Sequence, residues 1–135
     1  MGLDDVKIHD LILHKDERGW LSEIIRAEQL EDKTFGQITV AVTAPNKVRG
    51  NHYHRHKREW FCVVKGTMKL CLKDVKTKKT SEYILSEKKL QSIRITPGLS
   101  HALKNIGAED SILIIYYSKP YDPKDADTYP EKVIG

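Results

Sequence analysis

The sequence predicts an all-β protein, an antiparallel barrel or sandwich of short strands. Three observations carry this. Runs of strand-forming residues recur along the chain, turn residues punctuate them, and helical periodicity is nearly absent outside one short turn at residues 27–32.

Taken in order, the stretch Gln37–Thr43 (QITVAVT) is rich in β-branched residues, which fit a pleated, half-buried surface. Residues 60–64 and 67–72 flank Lys65-Gly66, which reads as a tight hairpin turn. Residues 81–85, Gln91–Ile95 and residues 111–118 read as further strands. Turns are expected at Pro45-Asn46, Gly66, Pro97-Gly98, residues 105–107 and Asp122-Pro123. The 135-residue length suits one core and one domain. Within it, residues 1–30 are expected as N-terminal strands or an arm. Residues 120–135 are expected as a tail over the surface or onto a partner subunit.

Composition bounds the function. The chain is 39% apolar and 31% charged, ordinary for a globular protein and unlike a disordered one. The longest apolar run, residues 112–117, suits a buried strand and is far short of a membrane span. The charged N-terminus (Asp4, Asp5, Lys7) carries no apolar signal segment, so a cytoplasmic protein is expected. Cys62 and Cys71 match no metal spacing and are read as reduced core thiols. The net charge of +4 fits an anionic small molecule as well as it fits surface lysines. The basic stretch at residues 73–79 reads as a solvated hairpin end. It lacks the interleaved aromatics that stack bases, so nucleic acid is not expected as a partner.

The most informative stretch is residues 50–66, GNHYHRHKREWFCVVKG. His52 and His54 lie two apart and project from one face of a strand. A four-residue spacer can turn the chain and bring Glu59 beside them. A second segment, PGLSHALKN, supplies His101 between Gly98 and Asn105. Imidazoles with a carboxylate suit a divalent metal, zinc first, with Fe²⁺, Mn²⁺ or Ni²⁺ also served by this set. His56 shares the His52/His54 face if the strand continues, and otherwise faces solvent or substrate.

H-x-H-x4-E-x6-G followed by P-G-x-x-H-x3-N resembles the paired motifs of the cupin superfamily, a double-stranded β-helix or jelly-roll barrel. Two positions depart from it. Asn46 stands where the first motif opens with Gly, and Thr96 where the second has Pro. Both affect turns and not the ligands. Three further segments resemble a nucleotide-sugar branch. DERGWLSEIIR is similar to the N-terminal motif of dTDP-4-dehydrorhamnose 3,5-epimerases, and VRGNHY to their R-G-x-H-Y stretch. The tail YYSKPYDPKDADTYPEKV is similar to the C-terminal cupin domain of capsular polysaccharide enzymes, where it follows a reductase domain. This chain would be the stand-alone epimerase half.

The resemblance implies a nucleotide-diphosphate sugar as partner and an isomerase activity, epimerisation of a nucleotide-linked 4-keto-6-deoxy hexose, in cell-surface polysaccharide synthesis. It also implies roles. Arg18 and Glu23 would contact the nucleotide, often across a homodimer interface, with Trp20 near the base. Arg49 would meet the diphosphate or the sugar, where its planar fork suits phosphate. His52 matches the family's general base, and a Tyr on the last strand its acid, Tyr116 ahead of Tyr117. A proton beside a ketone is acidic enough for a histidine base because the charge left behind spreads to the oxygen. A conflict follows, since a nitrogen that ligates metal has no lone pair for a proton. Metal-free 3,5-epimerases share His52 but have Lys at Glu59 and Gln at His54. Three alternatives stay open: a sugar-nucleotide 3,4-ketoisomerase, a metal-dependent cupin oxygenase, and a non-catalytic sugar-binding cupin.

Overall fold

A computed structural model describes residues 2–31 and 35–134. Its strands are β1 (Lys7–Asp10), β2 (His14–Asp16), β3 (Gly19–Leu21), β4 (Gln37–Thr43), β5 (Val48–Tyr53), β6 (Glu59–Lys65), β7 (Thr67–Asp74), β8 (Thr80–Ser86), β9 (Gln91–Ile95), β10 (Leu99–Asn105), β11 (Ser111–Tyr117) and β12 (Tyr129–Pro130). They make a five-stranded sheet in the order β1-β9-β6-β11-β4 and a second in the order β12-β5-β10-β7-β8. The pair β2-β3 stands apart as a hairpin. From β4 to β11 the chain passes back and forth between the two sheets, except where β7 and β8 pair directly. This is the jelly-roll expected from the paired motifs. The short turn expected at residues 27–32 is a 3-10 turn over Ala27–Gln29, and its end at Asp32 falls outside the described residues.

The core lies between the sheets. Phe61, Val63, Ile93, Leu113 and Ile115 come from the first sheet, and Met68, Leu70, Leu72, Leu99 and Leu103 from the second. Burying a side chain of this size contributes roughly 1.5–3 kcal/mol. Cys62 and Cys71 sit on different sheets as free, buried thiols. The basic segment after β7 closes the β7–β8 hairpin, with Asp74 Oδ1 accepting from the Lys76 N–H at 2.9 Å.

One local expectation fails. Lys65-Gly66 is not a hairpin: β6 pairs with β9 and β11, while β7 pairs with β8 and β10. The chain turns a corner from one sheet to the other. A Lys-Gly step between two apolar runs looks the same for a hairpin and for a corner. Gly66 has φ +82°, and a Cβ there would press on Ser111 at 3.2 Å. The Asn46 departure is explained by its φ of +68°, a left-handed turn that Asn tolerates better than most residues.

Candidate metal and substrate site

The site forms where β5 and β10 pair beside the start of β6. His52 and His101 are opposite one another in register, and their rings lie 4.7 Å apart, edge to face. Ladder irregularity between His101 and Ala102 accompanies Gly50, whose φ is +100°. A Cβ at Gly50 would lie 2.5 Å from the His101 carbonyl oxygen, so this register needs glycine. The two motifs are tied by the backbone, with the Gly98 N–H donating to the His54 carbonyl at 2.9 Å. Asn105 is buried and structural. Its Nδ2 donates to the Thr43 and Glu109 carbonyls, each at 2.8 Å, and its Oδ1 accepts from Gly107.

Nitrogens of His52, His54 and His101 all lie within 4.8 Å of one another. Glu59, only 1% exposed, reaches His54 Nε2 with Oε1 at 2.7 Å and His101 Nε2 with Oε2 at 3.1 Å. The second contact is within ion-pair distance but lacks hydrogen-bond geometry, leaving Oε2 a buried acceptor without a donor. Burial opposes a charge on Glu59, but the three imidazoles outweigh it and hold its pKa below the usual carboxylate range. Burial likewise opposes a charge on His54, while the bond to Glu59 and its negative charge raise that histidine's pKa. His101 is held neutral mainly by burial. His52 is pushed down to about 4, first by burial and then by the neighbouring His101.

These observations test the fit of a cation. His54 Nδ1 lies 2.6 Å from the Asp127 carbonyl, which can only accept, so Nδ1 carries the proton. Its Nε2 lone pair then points at Glu59, where a positive charge must sit, either a proton or a metal. Three imidazoles converging on a buried carboxylate with one orphaned oxygen fit a divalent cation.

A cavity of about 250 Å³ opens beside the cluster, lined by Arg49, His52 and His101 from the second sheet and by Glu59, Phe61, Leu113, Ile115 and Tyr117 from the first. The structure brings His52, His101, Glu59, Arg49 and Tyr117 to one place. Arg49 is held by Nε to Thr43 Oγ1 at 2.8 Å and by a terminal nitrogen to the Val42 carbonyl at 2.7 Å. Tyr117 is pushed up in pKa by burial and the Glu59 charge, so it keeps its proton. Its ring stands 6.3 Å from His54, and the Lys57 ammonium lies 5.2 Å over its face.

One expectation is corrected and one alternative is decided. Tyr116, ranked ahead of Tyr117 as the acid, lies on the outer face of β11 with Ile112 and Ile114, opposite Ile38 of β4 and against Phe35 at 6.1 Å. Strand alternation sends only one of two neighbouring tyrosines inward, and Tyr117 shares the inner face with Leu113 and Ile115. His56 takes the second of its two expected places, past the strand end and facing solvent, because β5 ends at Tyr53; it lines a separate groove with Lys57, Lys119 and Asp122. Arg18, Trp20 and Glu23 lie outside the cavity of their own chain. Arg18 pairs with Asp16, Glu23 with Arg26, and Trp20 is 48% exposed on the β2–β3 hairpin.

Comparison with known proteins agrees with this architecture. The family model of the polysaccharide biosynthesis C-terminal domain matches residues 14–129. This chain belongs to that family. It is 30% identical, over 132 residues, to a probable low-salt glycan biosynthesis epimerase, Agl13, of Haloferax volcanii, covering 93% of this chain and 85% of the relative. It is 27% identical to a UDP-2-acetamido-2,6-beta-L-arabino-hexul-4-ose reductase of Pseudomonas aeruginosa, covering 93% of this chain but 32% of the relative. Among solved structures it is similar to the capsular polysaccharide assembling protein CapF of Staphylococcus aureus, with 32% identity, TM-score 0.72, and coverage of 91% of this chain and 34% of CapF. This chain thus spans about a third of those two longer proteins. ChmJ, a 3'-monoepimerase of Streptomyces bikiniensis in complex with dTDP-quinovose, shares the fold at TM-score 0.82 and 22% identity, covering 93% of this chain and 68% of ChmJ.

One part of the site was missed in sequence. Asp127, in the tail, holds the loop between β5 and β6 through the backbone N–H groups of Arg55 (2.8 Å), His56 (3.0 Å) and Lys57 (3.2 Å). Nothing in the spacing of a lone Asp so far along the chain signals this.

Proposed function

We propose that this chain is an epimerase acting on a nucleotide-linked 4-keto-6-deoxy hexose in cell-surface polysaccharide synthesis. The observation that carries the reading is that His52, from one sheet, and Tyr117, from the other, line opposite walls of one cavity. Inversion beside a ketone needs that arrangement. A base removes the proton from one face, the electron pair moves onto the ketone oxygen as an enolate, and an acid returns a proton to the other face. His52 is neutral at physiological pH and takes the proton; Tyr117 is protonated and gives one. Arg49, at the same cavity, binds the anionic diphosphate or the sugar. The likeness to the Haloferax glycan biosynthesis epimerase and to the 3'-monoepimerase ChmJ supports the same class of reaction.

His54, Glu59 and His101 would hold a divalent metal, zinc first, leaving an open position as catalytic zinc sites do. When bound, it supplies a Lewis acid for the developing enolate oxygen. His52 completes the ring of ligand-type groups, but as the half-buried member at the cavity it is the one free to act as base. The chain works as a homodimer in the cytoplasm, where its two thiols stay reduced. The outer face of β4 exposes Ile38, Val40 and Val42, an apolar stripe suited to a second copy. The exposed Arg18, Trp20 and Glu23 then serve a nucleotide in the partner's cavity.

His52→Ala tests the assignment. The expected variant keeps its fold and its metal and loses exchange of the sugar's α-proton with solvent. Full exchange in a folded variant would sink the base assignment.

A further inference from the structure

The tail beyond β11 returns along the strand that carries the histidines. Tyr129 and Pro130 pair with Tyr53 and His52 at the edge of the second sheet. Asn51 Oδ1 accepts from the backbone of Val133 and Ile134 at 2.7 and 2.9 Å. Asp127 sits where this strap crosses the ligand-bearing loop, in a left-handed conformation with φ +49°. That turn aims its two ends in different directions. The carbonyl takes the His54 Nδ1 proton at 2.6 Å, and the carboxylate takes the backbone N–H groups of residues 55–57. Those residues span the gap between His54 and Glu59. One residue therefore sets the tautomer and ring orientation of His54 and the length of the bridge that places Glu59 against it.

We propose that Asp127 is the positioning residue of the histidine–carboxylate cluster, acting through His54 and the residue 55–57 backbone. The inference rests on the reading of that cluster as a metal site. Outer partners of this kind fix the imidazole of a ligating histidine, and losing one typically weakens metal binding 10–100-fold.

The test uses the full chain, with Co²⁺ and Zn²⁺ affinity measured by chelator competition and the His54 tautomer read from imidazole ¹⁵N shifts at saturating Zn²⁺. Three variants are compared with wild type: Asp127→Ala, Asp127→Asn and Glu131→Gln. Glu131 pairs with Lys73 at 2.8 Å and Lys78 at 3.3 Å, so its loss loosens the same strap away from the cluster. Asp127→Ala is expected to weaken binding by roughly 10–100-fold and to mix the His54 tautomers. Asp127→Asn, which tolerates the left-handed turn and keeps one acceptor, is expected to lose less. Glu131→Gln is expected to bind as wild type does. Wild-type affinity in the Asp127→Ala or Asp127→Asn protein overturns the proposal, as does an equal loss in Glu131→Gln, which would mark general loosening. If Asp127→Ala does not fold, Asp127→Asn carries the comparison alone. A wild-type chain that binds neither metal overturns the reading of the cluster, and this inference with it.

Discussion

Two adjacent tyrosines offer a sharp internal control. Tyr117→Phe removes one oxygen from the cavity wall and keeps the ring, along with its contacts to His54 and Lys57. The packing loss is small, so the fold should survive with a melting temperature within a few degrees of wild type. The catalytic loss should be large. A positioned general acid contributes roughly 10²–10⁴-fold, which at about 1.36 kcal/mol per tenfold is about 2.7–5.4 kcal/mol of barrier. Tyr116→Phe removes the same atom from the outer face of the same strand, against Phe35 and away from the cavity. Its turnover should stay within a few-fold of wild type. The assay is the rate of product formation from a 4-keto-6-deoxy sugar nucleotide, followed by NMR, with circular dichroism on each variant. The reasoning is refuted if Tyr117→Phe turns over normally, or if Tyr116→Phe carries the loss instead.

The remaining predictions concern metal, fold, pH and assembly. Glu59→Gln keeps the shape but removes the buried charge between His54 and His101, and should strip bound metal on dialysis, as read by elemental analysis. Gly50→Ala forces a Cβ to within 2.5 Å of the His101 carbonyl at φ +100°, and should cost about 1–3 kcal/mol in denaturant unfolding; an unchanged midpoint would contradict the register argument. Burial raises the Asp127 pKa, but three backbone N–H donors outweigh it and hold it below the ordinary carboxylate value. Its contribution is therefore fully present above the unfolded pKa of about 4 and is lost as pH falls through the lower folded value. Asp127→Asn should flatten the acid side of a melting-temperature profile. Val40→Asp, on the exposed stripe of β4, should convert a dimer to a monomer by light scattering.

The parts of this molecule that sequence makes legible are those set by local spacing. The strands Gln37–Thr43 and Gln91–Ile95 are bounded correctly because their β-branched runs end at turn residues. The cluster of His52, His54, Glu59 and His101 is legible because its spacings place each of these side chains on a strand or at its end. What escapes is set by non-local pairing. Tyr116 and Tyr117 are indistinguishable until β11 is registered against β4, which fixes the inward face. Gly66 reads as a hairpin until β6 and β7 are seen to join different sheets. His56 looks like a ligand while β5 is allowed to run on, but Asp127 and its three backbone bonds hold residues 55–57 as a loop. Arg18, Trp20 and Glu23 carry a motif that folds away from the cavity of its own chain, on and after the β2–β3 hairpin, and local spacing does not express that distance.

The most direct test of the central claim is solvent exchange in the wild-type protein. Purified chain is mixed in D₂O with dTDP- and UDP-linked 4-keto-6-deoxy sugars, and the sugar protons are followed by NMR with and without chelator. The account predicts deuterium at C3 or C5, inversion at the labelled carbon, and a ketone that stays at C4. Absence of deuterium from both sugars, or a ketone moved to C3, would contradict it.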